Sequence, residues 1–265
     1  MTSILEKYAA INDKRLVTDL STILNKKESL AYNFFSYVAT NKTVCINVNL
    51  QSLDYIFQSG VYKNTFQLGY DADSIRERYS RQKLSSYYEK LMAFVEAFDM
   101  ERNIKYGSLN IGGLGSNYPD FGNGLIAIIL KDEFVANFQK AIYCLKRFSL
   151  NYYSNKPSFK EVLFKNDICT WNKVEYLALE KHIEDIKGKA QKEWSKLVSI
   201  DRGWLEILIF NQIVIQSFEE IRFDHDYFEY LNSENIEDKY HEIQQLQFKS
   251  IAYACQKEDV KIVKI

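Results

Sequence analysis

One carboxylate lies inside an apolar run near the end of the chain. Glu206 belongs to Trp204-Leu205-Glu206-Ile207-Leu208-Ile209-Phe210, a composition that predicts a strand. Side chains of a strand alternate between its two faces, so Glu206 shares a face with Leu208 and Phe210. Because that face is apolar, a solvated edge is a less natural place for the carboxylate. The alternatives are an outward-facing Glu206 and a Glu206 that is held in a cleft for catalysis.

A second group of candidates surrounds a glycine in a predicted strand. Residues 104–111 predict this strand, and Gly107 stands in it between Tyr106 and Ser108. A glycine inside a strand often marks the close approach of another group. The following loop, residues 112–117, lacks the third glycine of the dinucleotide-binding fingerprint and leads to a strand instead of a helix. It is either a hairpin connection or a place where a ligand approaches the backbone.

Arginines form a third group of candidates, on a helix predicted from Asp73 or Ser74 to about residue 98. Arg76, Arg78 and Arg81 all lie on this helix, and a guanidinium group matches the oxygens of a phosphate. The alternative is a solvated helix face with ordinary ion pairs. Composition leaves both open.

Cysteine and histidine do not indicate a metal site. The four cysteines form no C-x-x-C pair, which predicts buried thiols in a reducing compartment. The three histidines are scattered, and the tempting cluster at residues 224–226 would place alternate side chains on opposite faces of a strand. We therefore expect no metal and no histidine-based catalytic triad.

Overall composition excludes several classes of protein. The 265 residues contain 34 lysines and arginines against 35 aspartates and glutamates, so the formal net charge is −1. A protein that coats nucleic acid needs surplus cations, and we expect no nucleic-acid partner. No apolar stretch of about 18 residues occurs, so we expect no membrane span. The first residues do not resemble a secretory signal peptide.

Hydrophobic periodicity predicts an α+β protein that forms a single domain over residues 1–265. Residues 1–40 are predicted to form N-terminal helices, and residues 133–200 a mainly helical insertion. A further short helix is expected at residues 50–59, ended by Gly60, and a last helix at about 235–256. Strands are predicted at the following places: residues 43–49, 104–111, 125–130, 205–210 and 218–223.

Two long segments resemble the ADP-ribosyltransferase superfamily. Residues 44–60, from Val44 to Gly60, are similar to the opening strand and helix of that fold. Residues 204–223 resemble the strand that carries the catalytic glutamate, followed by a loop and an "isoleucine-x-phenylalanine" strand.

Shorter motifs resemble a family of bacterial transferase-like toxins and effectors, whose relatives include effectors that ADP-ribosylate ubiquitin on threonine. They occur in the family's order between about residues 43 and 224. These motifs are Gly60-Val61-Tyr62-Lys63-Asn64-Thr65-Phe66, Tyr106-Gly107-Ser108-Leu109-Asn110, and Phe121-Gly122 before the apolar run 125–130.

The resemblance implies a split antiparallel sheet framed by helices, and an enzyme that transfers ADP-ribose from NAD to a protein acceptor, such as a hydroxyl side chain of host ubiquitin. It implies a protein of the bacterial cytoplasm or one delivered into a host cytosol. Glu206 would be the catalytic residue. The residues that would bind NAD are Tyr62, Asn64, Arg76, Arg81, Tyr106, Gly107, Ser108, Phe121 and Gly122.

The chain also departs from the family pattern. The opening strand offers Asn47 and Asn49 where many transferases have an arginine or histidine, so Arg76 or Arg81 is the expected substitute. Many transferases have an E-x-E or Q-x-E doublet that ends at the catalytic glutamate. In this chain Trp204 occupies the first position of that doublet, so the type of acceptor side chain is not determined. The alternatives are an NAD glycohydrolase, a transferase that modifies nucleic acid, and a non-catalytic helical module that binds a protein partner.

Overall fold

The computed structural model describes residues 4–64, 67–68, 103–112, 125–139, 142–146, 167–199, 205–235 and 238–265. Ten strands occur in these ranges. They are β1 (Thr43–Val48), β2 (Val61–Tyr62), β3 (Lys105–Asn110), β4 (Ile126–Leu130), β5 (Ile142–Lys146), β6 (Ile168–Thr170), β7 (Leu205–Ile209), β8 (Ile213–Val214), β9 (Phe218–Phe223) and β10 (Lys261–Lys264).

Eight of these strands form one continuous sheet in the order β10-β9-β4-β1-β3-β7-β5-β6. The β10–β9 pair is parallel, and the other six neighbouring pairs are antiparallel. The short strands β2 and β8 form a separate antiparallel pair. The α+β class is therefore confirmed, whereas the described strands do not divide into the two halves of a split sheet.

Helices surround the sheet. They are α1 (Ile4–Leu24), α2 (Leu30–Asn41), α3 (Leu50–Ser59), α4 (Asp132–Phe138), α5 (Val174–His182), α6 (Trp194–Ser199), α7 (His225–Asn232) and α8 (Lys239–Lys257). At the start of α3 the Asn49 side chain accepts a hydrogen bond from the Ser52 amide, and Gly60 ends this helix, as predicted, with φ of 75°.

The main hydrophobic core lies on one face of the sheet. Its strand residues alternate along each strand and include Ile46 on β1, Leu109 on β3, Ile128 on β4 and Ile207 on β7. Helices α2, α3, α5, α6 and α8 all contribute buried side chains to this core. A smaller apolar cluster lies on the other face, where the start of α1 covers the end of the sheet formed by β5 and β6.

The prediction of a mainly helical segment at 133–200 is partly wrong. Helices α4, α5 and α6 lie there, but β5 and β6 add two strands to the sheet edge. Residues 142–146 lie inside this segment, and their apolar run has no clear period of two. The structure explains this run: Ile142 and Cys144 face the main core, while Tyr143 and Leu145 face the smaller cluster. A strand that is buried on both faces cannot be distinguished from a buried helix by periodicity.

An ionic cluster joins α1, α5 and β5 beside this edge. Glu180 accepts hydrogen bonds from Arg15 at 2.5 and 3.1 Å and forms an ion pair with Lys146. Burial raises the pKa of Glu180, but the hydrogen bonds from Arg15 and Lys146 outweigh burial and hold that pKa below its usual value. The cluster therefore ties the N-terminal helix to the last strands of the sheet.

Candidate active site on the sheet face

Glu206 lies in the middle of the sheet. It stands on β7, directly opposite Ser108 on β3 and Leu145 on β5. The residue is 8% exposed, so its carboxylate is removed from bulk water. A carboxylate at such a position is costly to bury and is usually retained for a purpose. Glu206 is therefore buried and does not lie on a solvated edge of the sheet.

Several polar side chains share the face on which Glu206 lies. Directly opposite residues of neighbouring strands point to the same side of a sheet, so the pairings define this set. We call it the polar face; its members are Asn47, Ser108, Asn110, Glu206, Glu220 and Arg222. These residues come from β1, β3, β7 and β9. The opposite face of the same strands is lined by aliphatic and aromatic residues of the main core.

Ser108 connects the polar face to Glu206. Its side chain is 2% exposed, and its hydroxyl has no hydrogen-bond partner among the described residues. A buried hydroxyl without a partner costs about 1–3 kcal/mol. Its backbone is part of the ladder on both sides, with Cys45 of β1 and Glu206 of β7 as the paired residues. The side chain, and not the backbone, is therefore the part of Ser108 that could contact a ligand.

Gly107 has a structural explanation. An ideal Cβ at this position would lie 2.8 Å from the carbonyl oxygen of Cys45 and 3.3 Å from Cγ1 of Val44. The group that approaches Gly107 closely is therefore the neighbouring strand β1. The prediction that this glycine brings its backbone to a ligand is not needed to account for it.

Tyr106 lies on the same face as Glu206, two residues before Ser108. It stands opposite Leu208 and packs against the smaller apolar cluster, which also holds Tyr143. Tyr106 therefore borders the polar face on the side of β5 and β7. This is a suitable place for a ring that frames a ligand.

Arg222 belongs to the polar face but was not among the site residues predicted from the sequence. Its Nε donates to Glu220 at 2.5 Å, and its Nη1 lies 3.5 Å from Oδ1 of Asn110. The contact with Asn110 reaches from β9 across to β3. The available signal was the alternation in 218–223, where Ile221 and Phe223 face the core and thus place Arg222 and Glu220 on the other side.

Tyr62 and Asn64 lie at the other end of β3. The Asn64 side chain donates to the carbonyl oxygen of Ile104 at 2.9 Å and accepts from the Gln67 amide at 2.9 Å. Ile104 precedes Ser108 by four residues, which is about 13 Å along a strand. Burial raises the pKa of Tyr62 to about 12, so its hydroxyl stays protonated. These two residues are therefore not adjacent to Glu206.

The remaining predicted cofactor contacts lie outside the described residues. These are Arg76, Arg81, Phe121 and Gly122. Of the glycine-rich loop, the described part ends at Gly112, whose φ of 116° suits a glycine.

The cysteines are free and buried, as predicted. Cys144 and Cys169 face each other across β5 and β6, and burial raises the pKa of the Cys169 thiol. Asp224 caps α7 by accepting hydrogen bonds from two backbone amides, so residues 224–226 begin a helix and not a strand. Within the described ranges, no group of three side chains is placed to hold a metal ion.

Comparison of the chain with protein-family models gave no match, and none was found among curated proteins. Each helix in the described ranges is too short or too polar to cross a membrane.

Proposed function

We propose that this protein is a mono-ADP-ribosyltransferase, which cleaves NAD between nicotinamide and ribose and transfers ADP-ribose to a protein hydroxyl group. The observation that carries the proposal is the buried carboxylate of Glu206 on a central strand, opposite Ser108 and on the polar face. The resemblance of residues 43–224 to that superfamily implies the same residue, Glu206, as the catalytic glutamate. The two lines of argument are independent, since one uses burial and register and the other uses motifs.

The chemistry needs one carboxylate. Displacement at a glycosidic carbon develops positive charge on the sugar ring. The nicotinamide ring of NAD already carries a positive charge before it leaves, so no acid has to protonate it. A carboxylate in a site with little water stabilises the developing charge more strongly than the same group in bulk solvent. Glu206 would supply that charge and accept a hydrogen bond from a ribose hydroxyl.

The polar face has groups that fit the other parts of NAD. The hydroxyl of Ser108 is buried and suits a hydrogen bond with a ribose or carboxamide group. The guanidinium of Arg222 suits a phosphate oxygen, and it lies on the same face in contact with Asn110. Tyr106 would frame the nicotinamide ring from the apolar side. Arg222 thus joins Arg76 and Arg81 as a candidate for the phosphate contact.

The test is an incubation of the purified protein with adenine-labelled NAD and a eukaryotic lysate that is supplemented with ubiquitin. The variant is Glu206→Gln, which keeps the shape and removes the charge. The matched control is Glu219→Gln, which changes a partly exposed strand residue that forms an ion pair with Lys261 at 2.9 Å. We expect Glu206→Gln to lower turnover by at least about 100-fold, with a much smaller change in NAD affinity. Circular dichroism verifies that both variants fold.

Three results decide the proposal. A labelled protein that disappears with Glu206→Gln and persists with Glu219→Gln supports it, and mass spectrometry then identifies the acceptor. Nicotinamide release without labelled protein indicates a glycohydrolase, in which water is the nucleophile. If NAD neither binds nor reacts, the transferase proposal is wrong and a binding module remains.

A further inference from the structure

The last helix, α8, carries a row of exposed apolar side chains. Ten large apolar side chains are strongly exposed in the described part of the chain, and four of them lie on α8. We call these four the outer seam; they are Tyr240, Ile243, Leu246 and Tyr253, and they are between 45% and 70% exposed. No other described helix has more than one such residue. Scattered apolar residues are ordinary on a protein surface, but a contiguous group indicates an interaction surface.

The outer seam has the spacing of a helix that pairs with another helix. Ile243, Leu246 and Tyr253 follow the a and d positions of a heptad repeat, and the exposed Ser250 takes the position between the last two. The opposite side of α8 is buried in the main core, for example at Phe248. Helix α8 is therefore apolar on two sides, and the described part of the chain covers only one of them.

Charged side chains beside the outer seam indicate how a second helix lies on it. Glu242 and Lys249 immediately precede Ile243 and Ser250, so they occupy the same flanking position in successive heptads. Both side chains are exposed, and neither forms an ion pair within the described ranges. When two such helices pair antiparallel, equivalent flanking positions face each other. Glu242 of one copy then faces Lys249 of the other, and two-fold symmetry forms this contact twice.

A parallel arrangement lacks this complementarity. There, the same flanking positions would face Gln247 and Ala254 of the second helix, and both of these residues are uncharged. Antiparallel helices also bring the opposite ends of their dipoles together. The register that joins Glu242 to Lys249 sets Ile243 of one copy on Leu246 of the other, so the ionic and the apolar contacts agree.

The outer seam lies on the side of the molecule away from the polar face. Helix α8 packs on the main core, and this core covers the face of the sheet to which Ile207 points, opposite to the face of Glu206. Contact through the outer seam leaves the polar face open. An inference about the outer seam therefore does not depend on the proposed transferase activity.

We propose that the chain forms a two-fold symmetric dimer in which the outer seams of two antiparallel α8 helices pack on each other. The partner is a second copy of this chain, because the outer seam is complementary to itself in apolar spacing and in charge. Helix α8 has 19 residues and is about 28 Å long, so the contact is small compared with that of an obligate dimer. The dimer is therefore in equilibrium with the monomer, with a dissociation constant on the order of 10 µM.

Sedimentation velocity of the full chain, between about 1 and 200 µM, measures this equilibrium. The first variant is Leu246→Glu, which places a charge in the middle of the outer seam. Its matched control is Ile11→Glu, which introduces the same charge at an exposed residue of α1. We expect Leu246→Glu to raise the dissociation constant at least about tenfold, because the charge would be buried in the dimer, and Ile11→Glu to leave it unchanged. Circular dichroism verifies that each variant folds.

Charge reversal tests the antiparallel orientation. Glu242→Lys alone, or Lys249→Glu alone, places two pairs of like charges at the interface, and we expect either variant to raise the dissociation constant about tenfold. The double variant Glu242→Lys with Lys249→Glu restores opposite charges at both contacts. Its dissociation constant should therefore return to within about twofold of the wild-type value.

A concentration-dependent dimer with these losses, and with recovery in the double charge reversal, supports the proposal. The proposal is wrong if the chain stays monomeric up to about 200 µM, and the outer seam is then left to a different partner. It is also wrong if Leu246→Glu dimerises as tightly as the wild type, or if Ile11→Glu weakens the dimer equally. A double charge reversal that does not recover dimerisation would overturn the antiparallel arrangement.

Discussion

The substitution Gly107→Ala tests the register that assembles the polar face. The added Cβ would lie 2.8 Å from the carbonyl oxygen of Cys45, whereas ordinary contacts begin at 3.4 Å. The oxygen or the glycine must therefore move by about 0.6 Å. Cys45 is paired with Ser108 on one side and with Ile129 on the other, so β1 cannot shift alone. Strain of this kind costs about 1–3 kcal/mol.

An opposing effect reduces the net loss. Alanine restricts the unfolded chain more than glycine does, which stabilises a protein by about 0.4–1 kcal/mol where the folded conformation permits it. We therefore expect a net loss of about 1–2 kcal/mol in the free energy of unfolding. Equilibrium unfolding in urea, followed by circular dichroism, measures this quantity.

The double variant Gly107→Ala with Val44→Ala identifies the atom that resists the new methyl group. Val44→Ala removes the Cγ1 atom at 3.3 Å but leaves the carbonyl oxygen at 2.8 Å in place. It should therefore not rescue Gly107→Ala. A neutral or stabilising effect of Gly107→Ala alone would refute the reasoning, because it would show that β1 does not approach β3 at this point. The polar face, which rests on the same register, would then lose its basis.

Two further predictions concern the ionic contacts of α5. Glu180→Gln should lower the free energy of unfolding by about 1–2 kcal/mol near pH 7. The pKa of Glu180 is lowered in the folded state, so the difference from the wild type should shrink as the pH falls below 4.5 and through the folded pKa. Denaturant unfolding across this pH range measures the difference. The control Asp19→Asn, which removes the exposed partner of Arg15, should change the free energy of unfolding by less than about 0.5 kcal/mol. A loss for Glu180→Gln that does not depend on pH would contradict a stabilising role of the Glu180 carboxylate. Glu175→Gln should cost roughly 1–3 kcal/mol, because Glu175 is buried and accepts a hydrogen bond from Lys42 at 2.6 Å. Thermal unfolding should show the loss, and the double variant Lys42→Met with Glu175→Gln should recover part of it. An equal loss in the single variant Glu175→Gln and in this double variant would show that the ion pair does not stabilise the fold.

Elements with one clear face were predictable from the sequence. Helix α3 begins at an asparagine cap and ends at Gly60, and both signals are local. Strand β9 alternates between non-core and core residues from Glu220 to Phe223, which predicts a strand here, while a register shift interrupts the alternation before Glu220. Strand β5 was missed because it is apolar on both faces. Strand β6 was missed for a different reason: it has three residues, and only its pairing with β5 defines it.

The candidate site was only partly predictable. Glu206 could be found because one charge inside an apolar strand is visible in the sequence. The neighbours that make its position informative, Ser108 and Arg222, depend on which strands pair and in which register. Nothing local in the sequence places β9 and β3 on one sheet with two strands, β4 and β1, between them. The role of Gly107 depends on the same pairing, since the group that approaches it belongs to β1.

The two faces of the sheet differ in the kind of side chain that they bury. Buried side chains from α2, α3, α5, α6 and α8 pack on one face of the sheet and contribute to the main core. A protein that is stabilised on one face can hold polar side chains on the other, provided that its core offsets their cost of burial. Under the proposed transferase activity, substitutions of core residues such as Ile207 should therefore act through the free energy of unfolding, and conservative substitutions of Glu206 on the same strand should act through turnover. Because the two residues are adjacent in the chain, a difference between their effects cannot arise from a general disturbance of β7.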